Sequence, residues 1–251
     1  MKWVGALLLM MLALHANAYI DKSKVGWDQH VGAQLPLDFS FTNSDGQSVP
    51  LGTIFNDKPV VLAFVYFSCP ELCPEVLAGI QQGLRNAGLR VGADYDLIGI
   101  SIDPRDTPTN AATRLSHFPP AVRAHAQLLT TDDDHAARLA RAVGFRYVYD
   151  AKHQQFAHPA GFLIATPSGK ISRYFFGVRY DPAELRSAIA TAQQGSVSSA
   201  VRQLLLVCFH FDPTQGPYSA AIMGGLRIVS LAMLALVGLW AALRTYGRGR
   251  V

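Results

Sequence analysis

The sequence predicts an α/β layer fold, a central sheet covered by helices, followed by a C-terminal transmembrane helix. Three observations carry that expectation. Pro59–Phe67 and Tyr95–Ser101 are nearly continuous apolar runs, as expected of strands buried on both faces. Helical patterns alternate with these runs; in the first, from Pro74 to about Ala87, Val76, Leu77, Ile80 and Leu84 fall on one stripe. Ala220–Leu243 is apolar over a length that spans a bilayer, and Arg244, Arg248 and Arg250 follow it.

The remaining elements follow in order. Leu37–Thr42 alternates apolar and polar residues, Asn43-Ser44-Asp45-Gly46 reads as a turn, and Gln47–Leu51 reads as the return strand. Asp106-Thr107-Pro108 opens a helix, because a capping side chain precedes a proline suited to the first turn. Gln127–Thr130 is a short strand. A helix runs from Asp132-Asp133-Asp134 to Val143, with Gly144 at its end. Phe145–Tyr149 and Gly161–Ala165 are expected strands, and Ile171–Gly177 pairs with the latter across Thr166-Pro167-Ser168-Gly169. Asp181-Pro182 begins the last helix of the domain, to about Gln193. Parallel strands in such a sheet require right-handed crossovers.

The ends of the chain suggest export. Lys2 and the apolar run Trp3–Leu14 precede Ala16-Asn17-Ala18, the small-x-small pattern of a signal-peptide cleavage site. The run is short of the about 20 residues that a span needs. Residues 1–18 are therefore expected to be a signal peptide, 19–195 the folded domain and 196–219 a juxtamembrane linker. Residues 220–243 are the expected span and 244–251 a cytoplasmic tail. Arg227, close to one end of the span, can snorkel to the headgroups. The positive-inside rule places the tail in the cytoplasm and the domain outside, in the periplasm of a bacterial inner membrane. The net charge of +4 is mild and no basic stripe interleaves with aromatics, which argues against nucleic-acid binding. Three cysteines are too few for a disulfide scaffold.

Chemistry concentrates in Phe67-Ser68-Cys69-Pro70-Glu71-Leu72-Cys73-Pro74, where a buried strand gives way to a helix. A helix N-terminus favours anions, so a cysteine there tends towards the thiolate. The four-residue spacing brings both sulfurs to one face. They can form a disulfide or share a soft metal ion, and thiolates select Cu(I) and zinc over hard ions. A structural disulfide in an oxidising compartment is the bland alternative.

These residues resemble the Sco/SenC proteins, thioredoxin-fold copper proteins that help to assemble cytochrome c oxidase. The likeness covers roughly Gln34 to Gln193. Cys69-Pro70-Glu71-Leu72-Cys73-Pro74 is similar to that family's CPxxCP. Ser101-Ile102-Asp103-Pro104-Arg105-Asp106-Thr107-Pro108 is similar to its SxDPxxDTP loop, one residue shorter. His158, in Phe156-Ala157-His158-Pro159-Ala160-Gly161, stands 85 positions after Cys73 and nine before Pro167-Ser168-Gly169, as the family's histidine does before a strand and P-x-G.

The resemblance implies a thioredoxin-like sheet and copper, Cu(I) or Cu(II), as the metal, with Cys69, Cys73 and His158 as its ligands. It implies cytochrome c oxidase subunit II as partner, with a periplasmic copper donor and a thioredoxin-like reductant beside it. It also implies a cis peptide bond at His158–Pro159 and a reversible Cys69–Cys73 disulfide. The chain departs from the family in its C-terminal anchor, in Ala157 where an acidic residue is usual, and in Pro159 after the histidine.

Four functions compete: a copper chaperone for the dinuclear site of subunit II, a thiol–disulfide oxidoreductase without a physiological metal, a peroxidase and a membrane scaffold. Pro70 and Glu71 do not resemble a peroxidatic site, and a scaffold leaves the CxxxC–histidine set unexplained. Cys208 and His210, between the domain and the span, form a weaker candidate for a secondary site; a small buried cysteine is the plainer reading.

Overall fold

The computed structural model describes residues 24–68, 72–197, 230, 231 and 233, the side chains of 72–74 excepted. Backbone contacts divide the chain into two units, Met1–Ser198 and Ser199–Val251. In the second, the described residues 230, 231 and 233 are helical. The signal peptide, Cys208, His210 and the rest of the expected span lie outside the described residues. Among the described residues no helix is long and apolar enough to cross a membrane.

The first unit is built on a five-stranded sheet. Its strands are β4 (Val60–Val65), β5 (Asp96–Ser101), β6 (Ala126–Leu129), β10 (Gly161–Ala165) and β11 (Ile171–Phe176), in the order β11-β10-β4-β5-β6. β4, β5 and β6 run parallel, and β10 is antiparallel to both β4 and β11. All six residues of β4 and all five of β10 are buried. Helix α1 (Leu72–Asn86) turns Val76, Leu77, Ile80 and Leu84 into the core, as their spacing requires. Its Gly79 lets the backbone of Val178 approach so closely that a Cβ there would lie 2.3 Å from the Val178 carbonyl oxygen. Helix α2 (Pro108–Ser116) starts as expected: Thr107 caps it in a reciprocal box with Asn110, and Pro108 occupies the first turn. A short helix α3 (Pro120–Arg123), which no periodicity announced, leads into β6. Helix α4 (His135–Ala142) is shorter than expected. Helix α5 (Pro182–Gln193) is capped by Asp181, which accepts from the Glu184 amide.

The small strands depart from the sequence reading. β1 (Gly26–Trp27) pairs with β7 (Phe145–Arg146), whereas β8 (Val148–Asp150) pairs with β9 (Gln155–Ala157). The run Phe145–Tyr149 is thus two strands with different partners, divided at Tyr147. The hairpin of β2 (Ser40–Thr42) and β3 (Ser48–Pro50) is shorter than expected but in the expected place. The expected cis bond at His158–Pro159 is absent, since every peptide bond among the described residues is trans. Trans is the lower-energy isomer by about 0.5–1 kcal/mol. The next strand, β10, opens at Gly161, whose φ of +142° and close approach to the Phe175 carbonyl exclude a side chain.

Sheet direction explains why three distant segments share one edge. Val65 at the end of β4 lies beside Ser101 at the end of β5, so the loops after both strands leave the sheet together. β10 runs the opposite way, with Leu163 beside Leu62 and Ala165 beside Val60, so the segment entering β10 arrives at that same edge. Open α/β sheets carry their sites outside the carboxyl ends of the parallel strands.

Candidate functional site

The segment leading to the cysteines is held by groups outside it. Asp106 is buried, and its carboxylate accepts the amides of Phe67 at 2.5 Å and Ser68 at 3.2 Å. The Ser101 hydroxyl donates to the same carboxylate at 2.6 Å and accepts the Asp103 amide at 3.1 Å. On the other side of Phe67, Arg114 of α2 donates to its carbonyl at 2.7 Å. The last described residues before Cys69 are therefore fixed from two sides by charge-assisted bonds, the stronger kind in a buried setting. Cys69 lies outside the described residues. Cys73 is placed by its backbone alone, as the second residue of α1.

His158 follows β9 and is almost fully buried. Its ring meets Tyr66 edge-on at 5.9 Å and Phe145 at 6.1 Å. Tyr66 is three residues before Cys69, so the histidine belongs to the same edge as the CxxxC segment. Nδ1 lies 3.1 Å from the Pro159 carbonyl oxygen. A carbonyl only accepts, so this bond requires the proton on Nδ1 and puts the lone pair of the neutral ring on Nε2. A bond of that form, made by the ring nitrogen that does not face the metal, orients metal-ligating histidines. Burial holds the imidazole below the usual histidine range, which favours the neutral form a metal needs.

Around this pair stands an aromatic and charged frame that sequence reasoning did not single out. Arg105 forks onto Asp103, with Nε to Oδ1 at 2.8 Å and Nη2 to Oδ2 at 2.7 Å. Its guanidinium lies 5.2 Å from the ring centre of Tyr149 and 6.0 Å from that of Phe156. Phe156 in turn touches Tyr66 at 5.7 Å. The signal was present in Ser101–Asp106, legible as a family marker, but nothing in the string tells which carboxylate bonds to which partner. Among the described residues no group of three His, Cys, Asp or Glu side chains gathers as a metal site; the cysteine side chains lie outside that description.

Two outcomes follow from these contacts. Asp106→Ala strands two backbone donors and the Ser101 hydroxyl, so denaturant unfolding should show a loss of about 3 kcal/mol; a loss below about 0.5 kcal/mol would contradict the pinning role. The second concerns pH in the metal-free protein. The folded pKa of His158 is depressed, so the unfolded chain takes up its proton first as pH falls. Stability is therefore complete above the unfolded value of about 6.5 and is lost as pH falls through the folded value. Unfolding free energies measured from pH 7.5 to 5 should decline, and His158→Gln should flatten the decline. An equal slope in both proteins refutes the assignment.

Comparison with known proteins places this geometry. Residues 28–194 match the SCO1/SenC family. A protein of Stutzerimonas stutzeri, provisionally named copper-binding, is 26% identical over 171 residues, covering 66% of this chain and 80% of the relative. The structure of BsSco, described as a member of the Sco family of cytochrome c oxidase assembly proteins with a disulfide switch, superposes with a TM-score of 0.53. Its identity is 21%, over 66% of this chain and 98% of that one. Copper-bound yeast Sco1 superposes with a TM-score of 0.51 and 19% identity, over 69% of this chain and 93% of that one. At these identities the structures establish the fold. Because the family match spans most of the chain and contains the whole edge just described, the protein belongs to the SCO1/SenC family.

Proposed function

We propose that this protein is a copper chaperone that holds copper as cargo on Cys69, Cys73 and His158 and delivers it to the dinuclear site of cytochrome c oxidase subunit II. The observation that carries the reading is His158: a buried, neutral imidazole, oriented through Nδ1, on the sheet edge from which the CxxxC segment departs. Two thiolates and one imidazole suit copper in either oxidation state. Family membership, the copper-bound yeast relative and the copper-binding name of the bacterial relative agree with it. A periplasmic copper donor and a thioredoxin-like reductant are the partners it requires. A second reading, a membrane-anchored thiol–disulfide oxidoreductase, is favoured by the place of Cys73 in the first turn of α1, where the helix dipole supports a thiolate.

His158→Ala separates the two. Cu(II) prefers nitrogen and oxygen donors, Cu(I) is held by two thiolates, and disulfide exchange needs the sulfurs alone. The variant should lose the visible and paramagnetic resonance signals of bound Cu(II) and keep weakened Cu(I) binding. Its Cys69–Cys73 exchange in a disulfide-reduction assay should be unchanged. Identical Cu(II) spectra with and without His158 reject this ligand set. A wild-type protein that exchanges disulfides but takes up no copper establishes the second reading.

The same proposal includes its location: a bacterial inner-membrane protein with a cleaved leader over 1–18, the domain over 19–195 in the periplasm, a linker over 196–219, a single span over 220–243 and a cytoplasmic tail over 244–251. Alkaline phosphatase, active only outside the cytoplasm, should work when fused after Ser198 and fail when fused after Val251. An active C-terminal fusion overturns this topology.

A further inference from the structure

We infer that Arg105 is a positioning residue that sets the placement of His158 by clamping the β8–β9 hairpin to the buried carboxylate of Asp103. The inference rests on the proposed role of His158 in holding copper. His158 directly follows β9 and takes its position from that hairpin. The hairpin is a two-stranded ribbon of three residues a strand, paired from Val148–Ala157 to Asp150–Gln155, and is not hydrogen-bonded into the five-stranded sheet. A ribbon this short is marginal by itself and needs an external anchor.

Arg105 supplies one. The Asp103 side chain is only 1% exposed and is tied to the frame beneath it through the bond between its amide and Ser101. Arg105, with a 57% exposed side chain, forks onto that carboxylate by two bonds and covers the rings of Tyr149 on β8 and Phe156 on β9. Its Nη1 also reaches the Tyr149 hydroxyl at 3.4 Å. One planar cation thus joins a rigid carboxylate to both strands of the ribbon. Phe156 passes the contact on to Tyr66, which touches His158. A lysine carries the charge but neither the two-pronged fork nor the flat face that lies on the rings.

Position and charge predict opposite signs, which makes the idea testable. Arg105→Met removes a positive charge and leaves Asp103 unpaired; if charge alone mattered, a copper cation nearby would bind more tightly. If Arg105 positions His158, Cu(II) binding weakens, roughly tenfold by analogy with lost outer-shell partners. Tyr149→Ala tests the same clamp without disturbing the Asp103–Arg105 pair, and at 45% exposure it is a surface change that the fold tolerates. The experiment titrates Cu(II) into the full-length wild type, Arg105→Met, Arg105→Lys and Tyr149→Ala, recording visible and paramagnetic resonance spectra. Amide hydrogen exchange across Val148–Ala157 is followed in the metal-free forms.

The expected result is weaker Cu(II) binding with altered spectra in all three variants, and faster exchange in the hairpin but not in β4 or β5. Unchanged or tighter Cu(II) binding overturns the inference, as does faster hairpin exchange with an unaltered Cu(II) site. Should the wild type take up no copper, the chaperone reading fails by itself. Hairpin exchange then decides: faster in the variants upholds the clamp, and unchanged removes it.

Discussion

The buried carboxylate of Asp106 is the constraint on which the site depends. A strand that ends at a reactive loop must leave its ladder, and the amides of Phe67 and Ser68 would then lack sheet partners. Asp106 accepts both, and Arg114 covers the Phe67 carbonyl. A carboxylate buried without bonds costs several kcal/mol, so such a group is kept where its lone pairs are filled. Here two amides and the Ser101 hydroxyl fill them. The loop is ordered up to the residue before Cys69 by bonds that involve neither cysteine.

Asp103 and Asp106 divide the work of one short loop. Asp106 faces inward and holds the end of β4. Asp103, equally buried, faces the hairpin through Arg105. Both are fixed relative to each other by Ser101, which donates to one and accepts from the backbone of the other. The thiol-bearing segment and the histidine-bearing segment are thus referred to a common support at the end of β5. That arrangement ties to one support two segments whose Cys73 and His158 are 85 residues apart in the chain.

The aromatic cluster supplies the low-dielectric surroundings. Tyr66, Phe145 and Phe156 line the approach to His158, directly or through one another. They exclude water from the imidazole, which is why its proton is held less firmly than in water. Ala157 stands where the family resemblance leads one to expect an acidic side chain, so this position adds no carboxylate to oppose the effect of burial on the ring.

The main sheet was legible in the sequence because burial on both faces leaves an unmistakable apolar run, as in Val60–Val65 and Gly161–Ala165. The starts of α2 and α5 were legible because capping chemistry is local, written in Thr107-Pro108 and Asp181-Pro182. Cys69, Cys73 and His158 were singled out by spacing and resemblance, and the strand directions bring their segments to one edge. The sequence could not divide Phe145–Tyr149 into two strands, because which partner a strand takes is decided by chain segments far away, Gly26–Trp27 and Gln155–Ala157. Nor could it foresee a trans bond before Pro159, because the isomer before a proline is set by the tertiary setting and not by the local string. Least of all could it assign Asp103, Arg105 and Asp106 their partners. A carboxylate in a string is a charge; only the fold, by removing water and bringing Phe67, Ser68 and Tyr149 within reach, turns it into a support.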